Sequence, residues 1–149
     1  MMRNYLIIFI FLLSSCGYQP LYSNKNSNKF TFKEIEFLGD KGINQNLISS
    51  TFLKQDKQNF IYDKLVLKNN KEIIETSKNS KGQPESYRMI IDLEVTLINE
   101  GETIKKKIFS EEFSYKNSDN KFDLYEYEIS VQNSLINKIT EELIIYLNL

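Results

Sequence analysis

The most regular stretch of the chain is Tyr87, Met89, Ile91, Leu93, Val95 and Leu97, six apolar residues at period two. Arg88, Ile90, Asp92, Glu94, Thr96 and Ile98 form a mostly polar opposite row. That alternation predicts a half-buried strand of about 12 residues, roughly 40 Å long. Asn99-Glu100-Gly101-Glu102 has hairpin-turn chemistry. The return strand runs through Ile104, Ile108, Phe109, Phe113 and Tyr115, whose parity changes, so a bulge is expected near Ile108-Phe109. Before this hairpin, Phe30, Phe32, Ile35 and Phe37 predict a first strand, with a bulge or twist where the parity slips. Ile43, Leu47, Ile48, Phe52 and Leu53 recur at helical spacing and predict an amphipathic helix of about 13 residues. Phe60 to Ile74 reads as a second strand region bent at Asn69-Asn70, and Thr76 to Pro84 as a loop.

At the carboxy-terminal end, Leu124, Val131, Leu135, Ile139, Leu143 and Leu147 form one stripe widened by Ile136 and Ile144. A helix of about 24 residues follows, opened by the capping-box spacing of Asp123 and Glu126. Its length, roughly 36 Å, matches the long hairpin. The order is β-α-β-β-β-α. The expected fold is α+β, two helices packed on one face of a mostly antiparallel four-stranded sheet.

The amino-terminal end follows a different logic. Arg3 precedes the unbroken apolar run Tyr5 to Leu13, and small residues follow. Charge, short apolar core and small residues are the order of a secretory signal peptide. The run is about 9 residues, too short for the roughly 20 that span a bilayer as a helix. Leu13-Ser14-Ser15-Cys16 resembles the lipobox of bacterial lipoproteins, in which the signal is cut before the cysteine and the thiol carries a diacylglycerol. The resemblance implies a removed segment 1–15 and lipidation at Cys16. Several acyl chains, at ~0.8 kcal/mol per buried methylene, would anchor it to a membrane. Residues 16–29 read as lipidated start and tether, because Ser23 to Lys29 holds no apolar residue. Residues 30–149 then form one domain.

Removing 15 of 149 residues leaves 134, and the loss of Arg3 leaves 18 basic against 20 acidic residues, a formal charge of −2. That balance gives no reason to expect nucleic acid as partner. Histidine is absent and Cys16 is the only cysteine, so the commonest zinc ligands and the commonest general base are missing. No cofactor or metal is expected and the chain does not read as an enzyme. The adjacent pairs Glu111-Glu112 and Glu141-Glu142 point apart on a strand or helix, so neither flanks a single bond.

Lys105-Lys106-Lys107 is the one concentrated positive stretch. Lysines there protect an edge strand from aggregation, or reach paired phosphates. Strand alternation turns Lys106 away from Lys105 and Lys107, and Arg88 is a further cation on the central strand.

The start Cys16-Gly17-Tyr18-Gln19-Pro20-Leu21-Tyr22 resembles the Cys-Gly-Phe-x-Pro-Leu-Tyr start of the LPS-assembly lipoprotein LptE family, with Tyr18 where Phe is more usual. The order of elements is similar as well. The resemblance implies an outer-membrane lipoprotein, on the periplasmic side, that assists assembly of the LptD β-barrel and plugs it for lipopolysaccharide transport. It also implies contact with lipopolysaccharide, for which Lys105, Lys106, Lys107 and Arg88 are the candidates, and Gly17 is compatible with outer-membrane sorting. The alternative class is a periplasm-facing lipoprotein that binds or inhibits a soluble partner or has a structural role in the envelope.

Overall fold

The computed structural model describes residues 30–148. Segment 1–15, Cys16 and the tether to Lys29 lie outside the described residues. The elements are β1 (Thr31–Leu38), α1 (Lys41–Ser50), β2 (Lys54–Gln55), β3 (Tyr62–Lys78), β4 (Pro84–Asn99), β5 (Glu102–Lys116) and α2 (Lys121–Asn148). The α+β class stands, but the sheet has five strands in the order β2-β1-β3-β4-β5 and not four. β1 is parallel to both its neighbours, while β3, β4 and β5 form an antiparallel meander.

The alternation of β4 becomes burial. Met89, Ile91, Leu93, Val95 and Leu97 are at most 3% exposed. Leu65 and Leu67 of β3 and Phe109 and Tyr115 of β5 line up with them. Against this face pack Ile43 and Leu47 of α1, and Val131, Leu135, Ile136, Ile139, Leu143 and Leu147 of α2. Each such buried side chain contributes about 1.5–3 kcal/mol. The two helices touch through Asn46 and Asn133, 2.8 Å apart, so both cover the same face. The other face carries no helix among the described residues. It is instead knitted by ion pairs, Lys64 with Glu34 and Glu36 and Arg88 with Glu112, and by Ser110 donating to Asp92.

Several expectations are corrected. β3 does not bend at Asn69-Asn70. It runs unbroken through 17 residues to Lys78, because Asn69 faces inward and is buried by bonds to α1, while the loop shrinks to the turn between Lys78 and Pro84. No register shift breaks β1 between Phe32 and Leu38. Thr31 and Phe32 are both buried, so both faces are covered where the chain after α1 bonds back to β1. That return forms β2, two residues long and without any periodic signal. α1 ends at Ser50, since Ser49, Ser50 and Thr51 bond back to the carbonyls of Asn46 and Leu47, and Phe52 is left exposed. α2 starts at Lys121 with Asn120 as its cap, accepting from Phe122 N at 3.1 Å, so Asp123 lies inside the first turn.

Candidate functional site

The four candidate cations sit on β4 and β5, and the register of this hairpin decides where each points. Asn99 pairs with Glu102 across Glu100 and Gly101, both at positive φ, as a two-residue turn requires. The bulge does not fall at Ile108-Phe109. Leu97 pairs with Lys105 and Ile98 with Thr103, so Ile104 is the extra residue. One inserted residue flips the parity of everything after it. Lys105, Lys107, Phe109, Glu111, Phe113 and Tyr115 therefore share the helix side, and Lys106, Ile108 and Glu112 the open side.

On the helix side, the last turn of α2 brings Tyr146 over the hairpin. Its ring meets Phe109 edge-on at 5.7 Å between centroids. The Lys105 and Lys107 ammonium groups each lie 5.4 Å from the Tyr146 ring, and Lys107 is 4.4 Å from that of Phe109. Cation–π attraction and the negative end of α2 both favour the two charges there. Neither lysine has a carboxylate within ion-pair distance among the described residues. The arrangement holds two ammonium groups side by side on an aromatic floor, open to solvent at one edge of the sheet.

Lys106 is not part of this pair. It reaches across the open face to Glu94 at 2.9 Å, and that bond holds the Glu94 carboxyl below its ordinary range. Arg88 lies on the open face too, bonded to Glu112 and Ser114 near the opposite end of β4. The structure thus brings Lys105 and Lys107 together and separates Lys106 and Arg88 from them. Glu111 and Glu112 point apart, to Lys138 and Arg88. Tyr146 and Phe109 are the residues a reading of charges passes over. Only the placement of Tyr146 beside the buried stripe position Leu147 marks it in the sequence.

Among the described residues, no three His, Cys, Asp or Glu side chains converge as metal ligands. No helix among them is long and apolar enough to cross a membrane. At the far end of the hairpin an open cleft of about 500 Å³ is lined by Ser86, Ser114, Tyr115, Lys116 and Tyr127. There Tyr115 donates to Glu128 at 2.7 Å, and burial together with this bond pushes its phenol well above the ordinary value.

No protein-family model matches the chain. No curated protein matches it either. The fold does recur among solved structures of bacterial lipoproteins. The rare lipoprotein B from Shewanella oneidensis superposes with a TM-score of 0.58 at 11% identity, over 79% of this chain and 93% of that one. A lipoprotein from Caulobacter crescentus gives 0.58 at 12% identity, over 81% and 89%. The minor lipoprotein from Acinetobacter baumannii gives 0.54 at 13% identity, over 78% and 87%. At such identities the likeness is one of fold.

Proposed function

We propose that this chain is a lipoprotein of the LptE kind, anchored through Cys16 on the periplasmic side of the outer membrane. There it assists assembly of an LptD-type β-barrel, plugs its lumen, and meets lipopolysaccharide on its way to the surface. The observation that carries this reading is the shared fold with bacterial lipoproteins over about four fifths of the chain, rare lipoprotein B among them. The lipobox and the Cys16-to-Tyr22 start point the same way. Lys105 and Lys107 on their aromatic floor are the cations this reading offers to lipid A phosphates, since two neighbouring ammonium groups suit an acceptor with several anionic oxygens. The reading assigns the chain no catalysis.

The test is capture of the full chain from detergent-solubilised membranes. The expected result is a stoichiometric β-barrel much larger than the bait, and loss of surface lipopolysaccharide when the chain is depleted. Recovery of the chain alone or with a soluble partner, with surface lipopolysaccharide unchanged, would overturn it.

A further inference from the structure

One border of the sheet is closed by the two residues of β2, while the other is the whole of β5, 15 residues with no strand beyond it among the described residues. Such an edge leaves a row of backbone N–H and C=O groups open to another strand. One bond tells which residues present them. Asn117 N donates to Glu85 O at 2.8 Å, and the register from Lys105 to Lys116 is unbroken. Bonded pairs alternate along an antiparallel ladder, so the odd-numbered residues of this stretch bond to β4 and the even-numbered ones face outward. The outward set includes Lys106, Ile108, Ser110 and Glu112.

The charges on this edge are complementary to themselves. Lys106 and Lys107 lie three and two residues before Phe109, and Glu111 and Glu112 lie two and three after it. A second β5, antiparallel about a twofold axis at Phe109, sets Lys106 opposite Glu112 of the second copy and Lys107 opposite its Glu111. It also bonds Ile108 to Ser110, and every bonded pair then joins outward-facing residues. Directly opposed residues share a face, so one set of charges meets on the open side and the other on the helix side. Moving the axis to Ser110 puts Lys106 opposite Ser114 and leaves no charge pair, and moving it to Ile108 puts Lys106 opposite Ser110 and leaves only Lys105 opposite Glu111. On the open face, Glu94–Lys106 and Arg88–Glu112 would then join across the seam into a row of alternating sign.

We infer that β5 is the contact strand of a homodimer, in which a second copy of this chain adds its own β5 antiparallel about Phe109 and joins two five-stranded sheets into one. This goes beyond the lipoprotein function proposed above and does not depend on it; a copy paired through β5 has its Lys107 engaged by Glu111 of the second copy, so the dimer is the form of the chain apart from a barrel and its ligand.

The experiment is sedimentation of the full chain in mild detergent over a range of concentrations, with a wild-type dimer expected. Lys107→Glu and Glu111→Lys each place like charges opposite one another twice across the seam. Each alone should raise the dissociation constant at least about tenfold. An equimolar mixture of the two variants should dimerise again, because the two reversed charges then face each other with opposite sign and the two native ones do the same. Register is read from cysteines at the exposed positions 108 and 110. Ile108→Cys and Ser110→Cys chains carrying different tags should form a disulfide with each other on mixing. Neither should do so alone, since the diagonal spacing of about 7–8 Å exceeds what a disulfide spans. The wild type, with Cys16 alone, is the control. A wild type that stays monomeric, a dimer indifferent to both reversals, or self-linking at 108 would overturn the inference.

Discussion

Asn69, in the middle of β3, accepts a hydrogen bond from the backbone N–H of Asp40 at 2.9 Å. Asp40 is the cap of α1, its own carboxylate accepting from Ile43 N at 3.0 Å, and Asn69 also donates to Asn44 in the first turn at 2.6 Å. A buried amide in the sheet thus fixes where the first helix begins. Asn69→Leu keeps the volume and removes every one of these bonds. The expected cost is about 1–3 kcal/mol of unfolding free energy, because the Asp40 N–H and the Asn44 side-chain oxygen at this partly buried junction lose their partners. Urea unfolding checks it through a lower midpoint at unchanged slope. A loss below about 0.5 kcal/mol, the range of ordinary surface changes, would show that the clamp is incidental.

The same junction sets the demand at Gly39. Its φ is +101°, and an added Cβ would overlap the Asn69 backbone carbonyl and lie 2.8 Å from Asn69 Oδ1. Gly101 in the hairpin turn has φ +80° with open space around it. Gly39→Ala is therefore expected to cost about 3 kcal/mol or more, and Gly101→Ala only about 1 kcal/mol. Thermal unfolding of the two variants separates steric clash from backbone strain, and equal losses would contradict the close approach.

At the other end of the sheet, Tyr115 and Glu128 tie β5 to α2. The Tyr115 phenol is raised by burial first and by the bond to Glu128 second. Its folded value lies above its unfolded value of about 10, so the associated stability is complete below about pH 10 and is lost as pH rises further. Tyr115→Phe should lose about 1–2 kcal/mol at neutral pH. It should also flatten the alkaline fall in stability between about pH 10 and 12. Denaturation midpoints of both chains across that range are the measurement, and parallel curves would remove Tyr115 as the titrating group.

How far the sequence discloses all this depends on whether a feature repeats. The six alternating residues of β4 and the stripe of α2 repeat often enough to fix strand, helix and buried face, and Asn99 to Glu102 carry their turn in their own chemistry. β2 has two residues and cannot repeat. Asn69 looks like a breaker because a polar residue in an apolar strand has no local reason to be there, and its partners lie 25 and 29 residues away in Asn44 and Asp40. The apolar parity changes at Ile108-Phe109, but the bulge sits at Ile104 beside the turn. Ile108 is simply an exposed isoleucine. The separation of Lys106 from its neighbours follows from alternation alone. That Tyr146 underlies Lys105 and Lys107 follows only from packing α2 on the sheet.

Lipidation is the premise of the proposed function and stands or falls on one atom. Cys16→Ala should leave the chain uncut or soluble, whereas the wild type should carry acyl mass at its new amino terminus. Intact-mass analysis decides it, and a wild type without added mass would remove the anchor.

The proposed lipopolysaccharide contact rests on Lys105 and Lys107, and it is distinguishable from edge protection. Lys105→Glu places a negative charge over the Tyr146 ring while leaving the charge pairs of the inferred dimer seam untouched. Charge-assisted bonds contribute roughly 1.5–3 kcal/mol each, and a reversed charge repels the phosphate besides losing its bond. Binding of lipopolysaccharide to the chain lacking residues 1–16 should therefore weaken at least about tenfold at low salt. The gap should narrow as screening shortens the reach of the charge to roughly 8 Å at physiological ionic strength. Arg88→Ala serves as the comparison, since Arg88 is bonded to Glu112 on the opposite face and should leave binding unchanged. Circular dichroism confirms that each variant is folded. If folded Lys105→Glu binds as tightly as the wild type at both salt concentrations, these lysines guard a strand edge and the ligand is met elsewhere.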